Sequence, residues 1–105
     1  MKKIIATASA PSAIGPYSQA TSINGMVYTS GQLGIDPATG NFATQDIAGQ
    51  TLQSLKNVKS VLEAAGSGMD KVVKVTEGSF PSRSAVEVAR LPKDGLVEIE
   101  AIATV

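Results

Sequence analysis

One helical stripe stands alone in a chain otherwise patterned for strands. Ile47, Thr51, Leu55, Val58, Leu62 and Ala65 recur at steps of four and three, with Ala48 and Leu52 beside them. Gln50, Gln53, Lys56, Asn57 and Glu63 fall mostly off the stripe. Asp46 suits the positive end of a helix dipole, and Gly66 suits the position just past the last turn. Gly49 weakens such a helix by about 1 kcal/mol against alanine. A single helix covers only one face of a sheet, so a two-layer α+β domain with a mixed or antiparallel sheet is expected.

Strand signals surround the helix. Ile4 and Ile5 suit a short edge strand, and "SAPSAIGPYSQA" reads as an extended loop. Asn24-Gly25 ahead of Met26, Val27 and Tyr28 marks a hairpin, and that strand runs into Ser30-Gly31. "MDKVVKV" reads as a further strand after the helix. Two more are expected, Ala85 to Leu91 and Leu96 to Val105, joined by "PKDG". In the last, Val97, Ile99, Ala101, Ala103 and Val105 share one face, and Glu98, Glu100, Ile102 and Thr104 share the other. The sheet face away from the helix has no second layer in the chain. Burial against other copies is the simplest remedy.

With 105 residues, one domain spanning 1–105 is expected, and a domain of that size has little stability to spare. Nine lysines and arginines balance nine aspartates and glutamates, which argues against a dedicated nucleic-acid binder. Histidine and cysteine are absent, which removes the usual general base, the commonest metal ligand and any thiolate nucleophile. The N-terminus opens like a signal peptide, but its apolar run breaks at Thr7, Ser9 and Pro11. No stretch approaches a membrane span, so a cytoplasmic protein is expected.

The groups able to do chemistry are few. Arg83 follows Pro81 in "FPSRS", a constrained entry to a strand, where a guanidinium can fork onto a carboxylate. A surface arginine or a structural ion pair fits the pattern as well. Glu98 and Glu100 lie two apart on one face, where mutual repulsion raises a pKa and readies one group for proton transfer. Glu87 is equally available by pattern, and a solvated strand face explains all three. Tyr17 in "IGPYSQA" is presented from a rigid loop as a pocket wall or as a core contact. Ser30-Gly31 offers backbone N–H groups to an oxygen, or is an ordinary turn. There is no phosphate loop, dinucleotide fingerprint or metal-ligand spacing, so any catalysis is expected to need neither metal nor cofactor.

Taken together, "IATASAPSAIGPYSQA", "MVYTSGQLGIDPATG", "TLQSLKNVKSVLEAAG" with "MDKVVKV", and "FPSRSAVEVARLPKDGLVEIEAIA" resemble the RidA/YjgF enamine/imine deaminases over most of the chain. The resemblance implies a chorismate-mutase-type α+β domain, with helices on one face of the sheet, assembled as a homotrimer with sites between subunits. It implies hydrolysis of small 2-imino acids and their enamine tautomers to 2-oxo acids and ammonia. Arg83 then looks like the clamp on the substrate carboxylate, and Glu98 like the residue that holds the attacking water. Tyr17 lines the site, and Ser30 and Gly31 form the strand end facing it. Ala85 stands where the family commonly has cysteine, and its backbone is the part expected to touch substrate.

The chain departs from that pattern in one place. Family members run roughly twenty residues longer, completing the strand after "VVKV" and adding a second helix before "FPSRS", half of the helical layer of a small domain. A segment is therefore expected to be missing near residues 76–79. Two other functions fit parts of the same pattern. Some relatives have been described as endoribonucleases or translation inhibitors, and a non-catalytic module would use Arg83 to bind a small carboxylate.

Overall fold

A computed structural model describes residues 1–75 and 81–105. The chain runs β1 (Lys3–Ile5), β2 (Ala20–Ile23), β3 (Met26–Thr29), β4 (Gln32–Leu33), α1 (Ile47–Ala64), β5 (Val72–Val75), β6 (Ser82–Arg83), β7 (Glu98–Ile99) and β8 (Ala101–Thr104). The main sheet has the order β1-β2-β3-β8-β5-β6, antiparallel throughout except for the parallel pair β5–β6. A second pair, β4–β7, continues the β3–β8 ribbon beyond a break. The expected mixed sheet with a helix on one face is present.

The predicted hairpin closes at Asn24-Gly25. Both residues take positive φ, 51° and 76°, as a two-residue type I′ turn requires, and Ile23 pairs with Met26 across it. α1 begins at Asp46, whose carboxylate caps the helix by accepting the Gly49 N–H at 2.7 Å. It ends in a Schellman motif, with the Gly66 N–H on the Glu63 carbonyl and the Ser67 N–H on that of Leu62.

The core lies between α1 and the sheet. Val58, Val61 and Leu62 pack with Ile5, Ala20, Val27, Val75, Ile99, Ala101 and Ala103. The C-terminal half of the predicted stripe thus faces inward. Its N-terminal half does not, because Ile47 and Leu52 are 54% and 57% exposed, while Gln50, Ser54 and Asn57 are buried in their place. The reason is the strand beneath. β4 pairs on one side with only the two residues of β7, so nearby carbonyls need donors from the helix. The Ser54 hydroxyl donates to the Gln32 carbonyl at 2.6 Å, and Asn57 Nδ2 donates to the carbonyls of Leu33 and Ile35 at 3.0 and 2.8 Å.

The expected strand from Ala85 to Leu91 does not form. Among the described residues only Ser82 and Arg83 pair, with Lys74 and Val75, and Val86 and Val88 stand 82% and 51% exposed beyond them. Among the described residues none pairs with Ala85 to Leu91. The expected strand from Leu96 to Val105 is broken into β7 and β8. Six residues join Val75 to Ser82, against the dozen or so usual for a parallel crossover. The segment expected to be missing near 76–79 falls outside the described residues.

On the face away from α1, one row crosses the sheet through Ile4, Thr21, Tyr28, Ile102 and Lys74. Ile4 and Tyr28 are exposed and Ile102 is half-buried. Among the described residues no helix is long and apolar enough to cross a membrane.

Replacing Asn57 by leucine keeps the volume but strips a donor from two carbonyls. Urea denaturation is expected to show a loss of about 1–3 kcal/mol, against less than about 0.5 kcal/mol for Leu52→Ala on the exposed side. Equal, small losses for both would mean that water serves the β4 carbonyls as well as Asn57 does.

Candidate active site

The break between β3 and β4 builds the site. Tyr28 faces Ile102 and Gln32 faces Ile99, so Thr29, Ser30 and Gly31 stand opposite only Glu100 and Ala101. This is a β-bulge, which bends the ribbon and re-aims what it carries. Side chains fill the broken ladder. Thr29 Oγ1 accepts the Ala101 N–H at 2.9 Å, and the Ser30 N–H turns to the Gln19 carbonyl at 2.8 Å.

Glu98 lies directly over the bulge. A Cβ on Gly31 would come within 2.7 Å of the Glu98 carboxyl carbon and 2.8 Å of its Cγ and Oε1. Only glycine admits this approach, which presses one side of the carboxyl group against backbone. Partial burial there raises the Glu98 pKa above 4.5, and the neighbouring charge of Glu100 adds to it. The side chain as a whole remains exposed, since its other side opens to solvent-filled clefts. The segment leading into it is held from the helix, where Gln50 Oε1 accepts the Leu96 N–H at 2.9 Å.

Glu98 and Gly31 line two clefts. One, of about 240 Å³, is walled by Tyr17, Pro11, Ile14 and Leu33. The other, of about 510 Å³, is walled by Val86, Val88 and Glu100. Tyr17 is half exposed, and its hydroxyl accepts the Ile14 N–H within its own loop at 3.3 Å. The Ser30 hydroxyl is taken by the Ser18 carbonyl at 2.6 Å, so this residue shapes the site through the loop that it holds. The single chain therefore brings Tyr17, Gly31 and Glu98 together, with Ser30 behind them.

Arg83 and Ala85 line neither cleft, although Ala85 adjoins Val86 of the larger one. Arg83 sits on β6 at the far edge of the main sheet, paired with Val75, and neither cleft that Glu98 lines includes it or Ala85. Sequence reasoning missed Gln19, a buried side chain that gathers the loop before it, and Gln50. Both are amides in stretches read as loop or as the polar face of a helix, and neither has a periodic signal. Among the described residues no group of three or more histidines, cysteines, aspartates or glutamates can hold a metal ion. A carboxyl group with a raised pKa, beside a mostly apolar cleft, can take a proton from water and return it to a bound substrate.

The family model described as endoribonuclease L-PSP matches residues 7–78. The chain is 46% identical to a 2-iminobutanoate/2-iminopropanoate deaminase of Salmonella typhimurium over 126 aligned positions, covering 98% of each. It is 45% identical to a protein of the same description from Bos taurus, covering 98% of this chain and 90% of that one. The crystal structure of a Rid-family protein of unknown function from Yersinia pestis superposes with a TM-score of 0.93 at 46% identity over the full length of both chains. The Salmonella alignment exceeds the 105 residues of this chain by 21 positions, so at least that many fall on residues that it lacks.

Gly31→Ala is expected to push the Glu98 carboxyl off the backbone and into water. Its pKa then falls back toward 4.5, read by carboxyl-carbon NMR titration; an unmoved titration would show that Gly31 does not set its environment. The raised pKa also has a sign for stability. The fold favours the neutral carboxyl, so that contribution is complete below 4.5 and is lost as pH rises through the folded pKa. Glu98→Gln is accordingly expected to raise Tm at pH 7 and to leave it nearly unchanged at pH 4; a lower Tm at pH 7 would contradict the assigned shift.

Proposed function

The chain belongs to the endoribonuclease L-PSP family, the RidA/YjgF proteins, and on that footing we propose that it is a 2-iminobutanoate/2-iminopropanoate deaminase. It hydrolyses small 2-imino acids to 2-oxo acids and ammonia. The observation that carries this reading is the Glu98 carboxyl group, held over Gly31 with a raised pKa in a cleft walled by Tyr17.

Imine hydrolysis asks little of a protein. The carbon of a protonated imine is already electrophilic, so a placed water and one proton carrier suffice. Ionised Glu98 takes a proton from water as its oxygen bonds to the imine carbon and the C=N pair moves to nitrogen. The resulting carbinolamine then collapses. The proton held by Glu98 passes to nitrogen, and the C–N bond then breaks with its electron pair leaving on ammonia. The carbinolamine O–H proton goes to the Glu98 carboxylate as the carbonyl forms, and ammonia takes that proton away as ammonium, which returns Glu98 to its ionised state. Tyr17 closes one wall, and the Ser30-Gly31 strand end backs the reacting centre. No cofactor takes part in these steps.

The substrate carboxylate needs a cation, and Arg83 fills that role from a neighbouring copy, with the Ala85 backbone beside it. Two features support an assembly. Arg83 lies away from its own chain's Glu98 clefts, and the open sheet face carries Ile4, Tyr28 and Ile102. A homotrimer with three sites between subunits satisfies both, and the cytoplasm is the expected compartment. The short β5–β6 link, the end of the family match at residue 78 and the 21 surplus alignment positions support an internal segment lost between those strands.

The test is release of ammonia and 2-oxo acid from 2-iminobutanoate, generated in place by a threonine dehydratase, with semicarbazide trapping to report surviving imine. Wild type is expected to accelerate imine loss. Glu98→Gln should lower kcat about 10²–10⁴-fold, and Arg83→Ala should act chiefly on KM, by about 10–150-fold. The acidic limb of wild-type kcat/KM should lie above pH 4.5, following Glu98. Sedimentation should show a trimer. A folded wild type without turnover would overturn the reading and favour a carboxylate-binding module.

A further inference from the structure

Gln19 is 4% exposed, and its carboxamide closes the preceding loop onto β2. Oε1 accepts the Thr7 N–H at 2.6 Å. Nε2 faces the carbonyls of Thr7, Ala10 and Pro11 at 3.1, 3.3 and 2.7 Å. A primary amide offers an acceptor and two donors from one planar group, which this ring of backbone groups requires. The backbone of the same stretch turns the other way. The Gln19 carbonyl accepts the Ser30 N–H, and the Ser18 carbonyl accepts the Ser30 hydroxyl.

Tyr17 sits between these two anchorages. Its own bonds, from the Ile14 N–H to Oη and from its N–H to the Gly15 carbonyl, stay inside the loop. Besides Ala10, which packs in the core, the loop's hydrogen bonds among the described residues run through Gln19 on one side and Ser30 on the other. Ser30 adjoins Gly31, over which Glu98 rests, and Gln19 itself lines the cleft that Tyr17 and Glu98 share.

We infer that Gln19 is a positioning residue for the deamination site: its carboxamide fixes Tyr17 opposite Glu98 by tying the start of the loop, at Thr7, Ala10 and Pro11, to its end. This rests on the deaminase reading above. Glutamate at this position keeps the shape but, when ionised, places a carboxylate against three carbonyl oxygens. Protonation restores one donor.

The experiment compares wild type, Gln19→Glu, Tyr17→Ala and the double variant in the imine assay across pH, well below the melting temperature of each. Hydrogen exchange by mass spectrometry is measured on the same samples. Gln19→Glu is expected to lower kcat/KM by about 10–100-fold at pH 8 and to recover part of it as pH falls. Exchange should speed up in residues 7–18 while α1 and β3 stay protected. In the Tyr17→Ala background the same change should cost less than about threefold, because its effect passes through Tyr17. Equal losses in both backgrounds, or unchanged exchange in the loop, would overturn the inference. Ser30→Ala, which loosens the other anchorage alone, replaces Gln19→Glu if that variant does not fold and carries the same expectations apart from the pH recovery. A wild type with no turnover would sink the deaminase reading and, with it, any catalytic role for Gln19; the exchange result would still report whether the clamp holds the loop.

Discussion

Three residues facing two, at Thr29 to Gly31 against Glu100 and Ala101, is the constraint from which the rest of the structure follows. The extra residue breaks the β3–β8 ribbon and turns β4 and β7 out of the main sheet. It leaves backbone groups that the ladder no longer serves, and in an interior each needs a partner. The Thr29 hydroxyl takes one, and the Gln19 carbonyl takes the Ser30 N–H. The bulge also exposes a glycine backbone on which a carboxyl group can rest. The break in the sheet and the chemistry of the cleft have the same origin.

The helix adapts to this break. Its C-terminal half packs Val58, Val61 and Leu62 on the sheet, as an amphipathic helix should. Its N-terminal half lies over β4, where carbonyls point up at it, and there Gln50, Ser54 and Asn57 are buried. Placing isoleucine or leucine against those carbonyls would leave them without donors, at a cost of about 1–3 kcal/mol each. Ile47 and Leu52 are consequently turned outward. The same buried row reaches the site, since Gln50 binds the Leu96 N–H two residues before Glu98.

Arg83 ends one two-residue strand and Glu98 begins another, yet the fold puts them on different strand pairs. β6 is the last strand of the main sheet, and β7 pairs with β4 beyond the bulge. Among the described residues β6 pairs through two residues only, and the sequence that follows, patterned as a strand, forms none.

Local chemistry settled much of this fold in advance. Asn24-Gly25 takes a type I′ turn because both residues tolerate positive φ. Asp46 and Gly66 bound the helix because a carboxylate satisfies its first N–H groups and a glycine its left-handed end. The alternation of Ile99, Ala101 and Ala103 predicts a buried face, because successive side chains in a strand point opposite ways. Glu98 beside Glu100 was legible for the same reason. What the sequence could not hold was every feature that depends on two distant segments meeting. Ser54 and Asn57 answer carbonyls some twenty residues away, and Gln50 accepts the N–H of the still more distant Leu96. The clamp of Gln19, the approach of Glu98 to Gly31 and the failure of Ala85–Leu91 to become a strand are of the same kind. Periodicity records which side of its own element a residue faces. Which backbone groups stand unpaired on that side is known only once the other elements are in place.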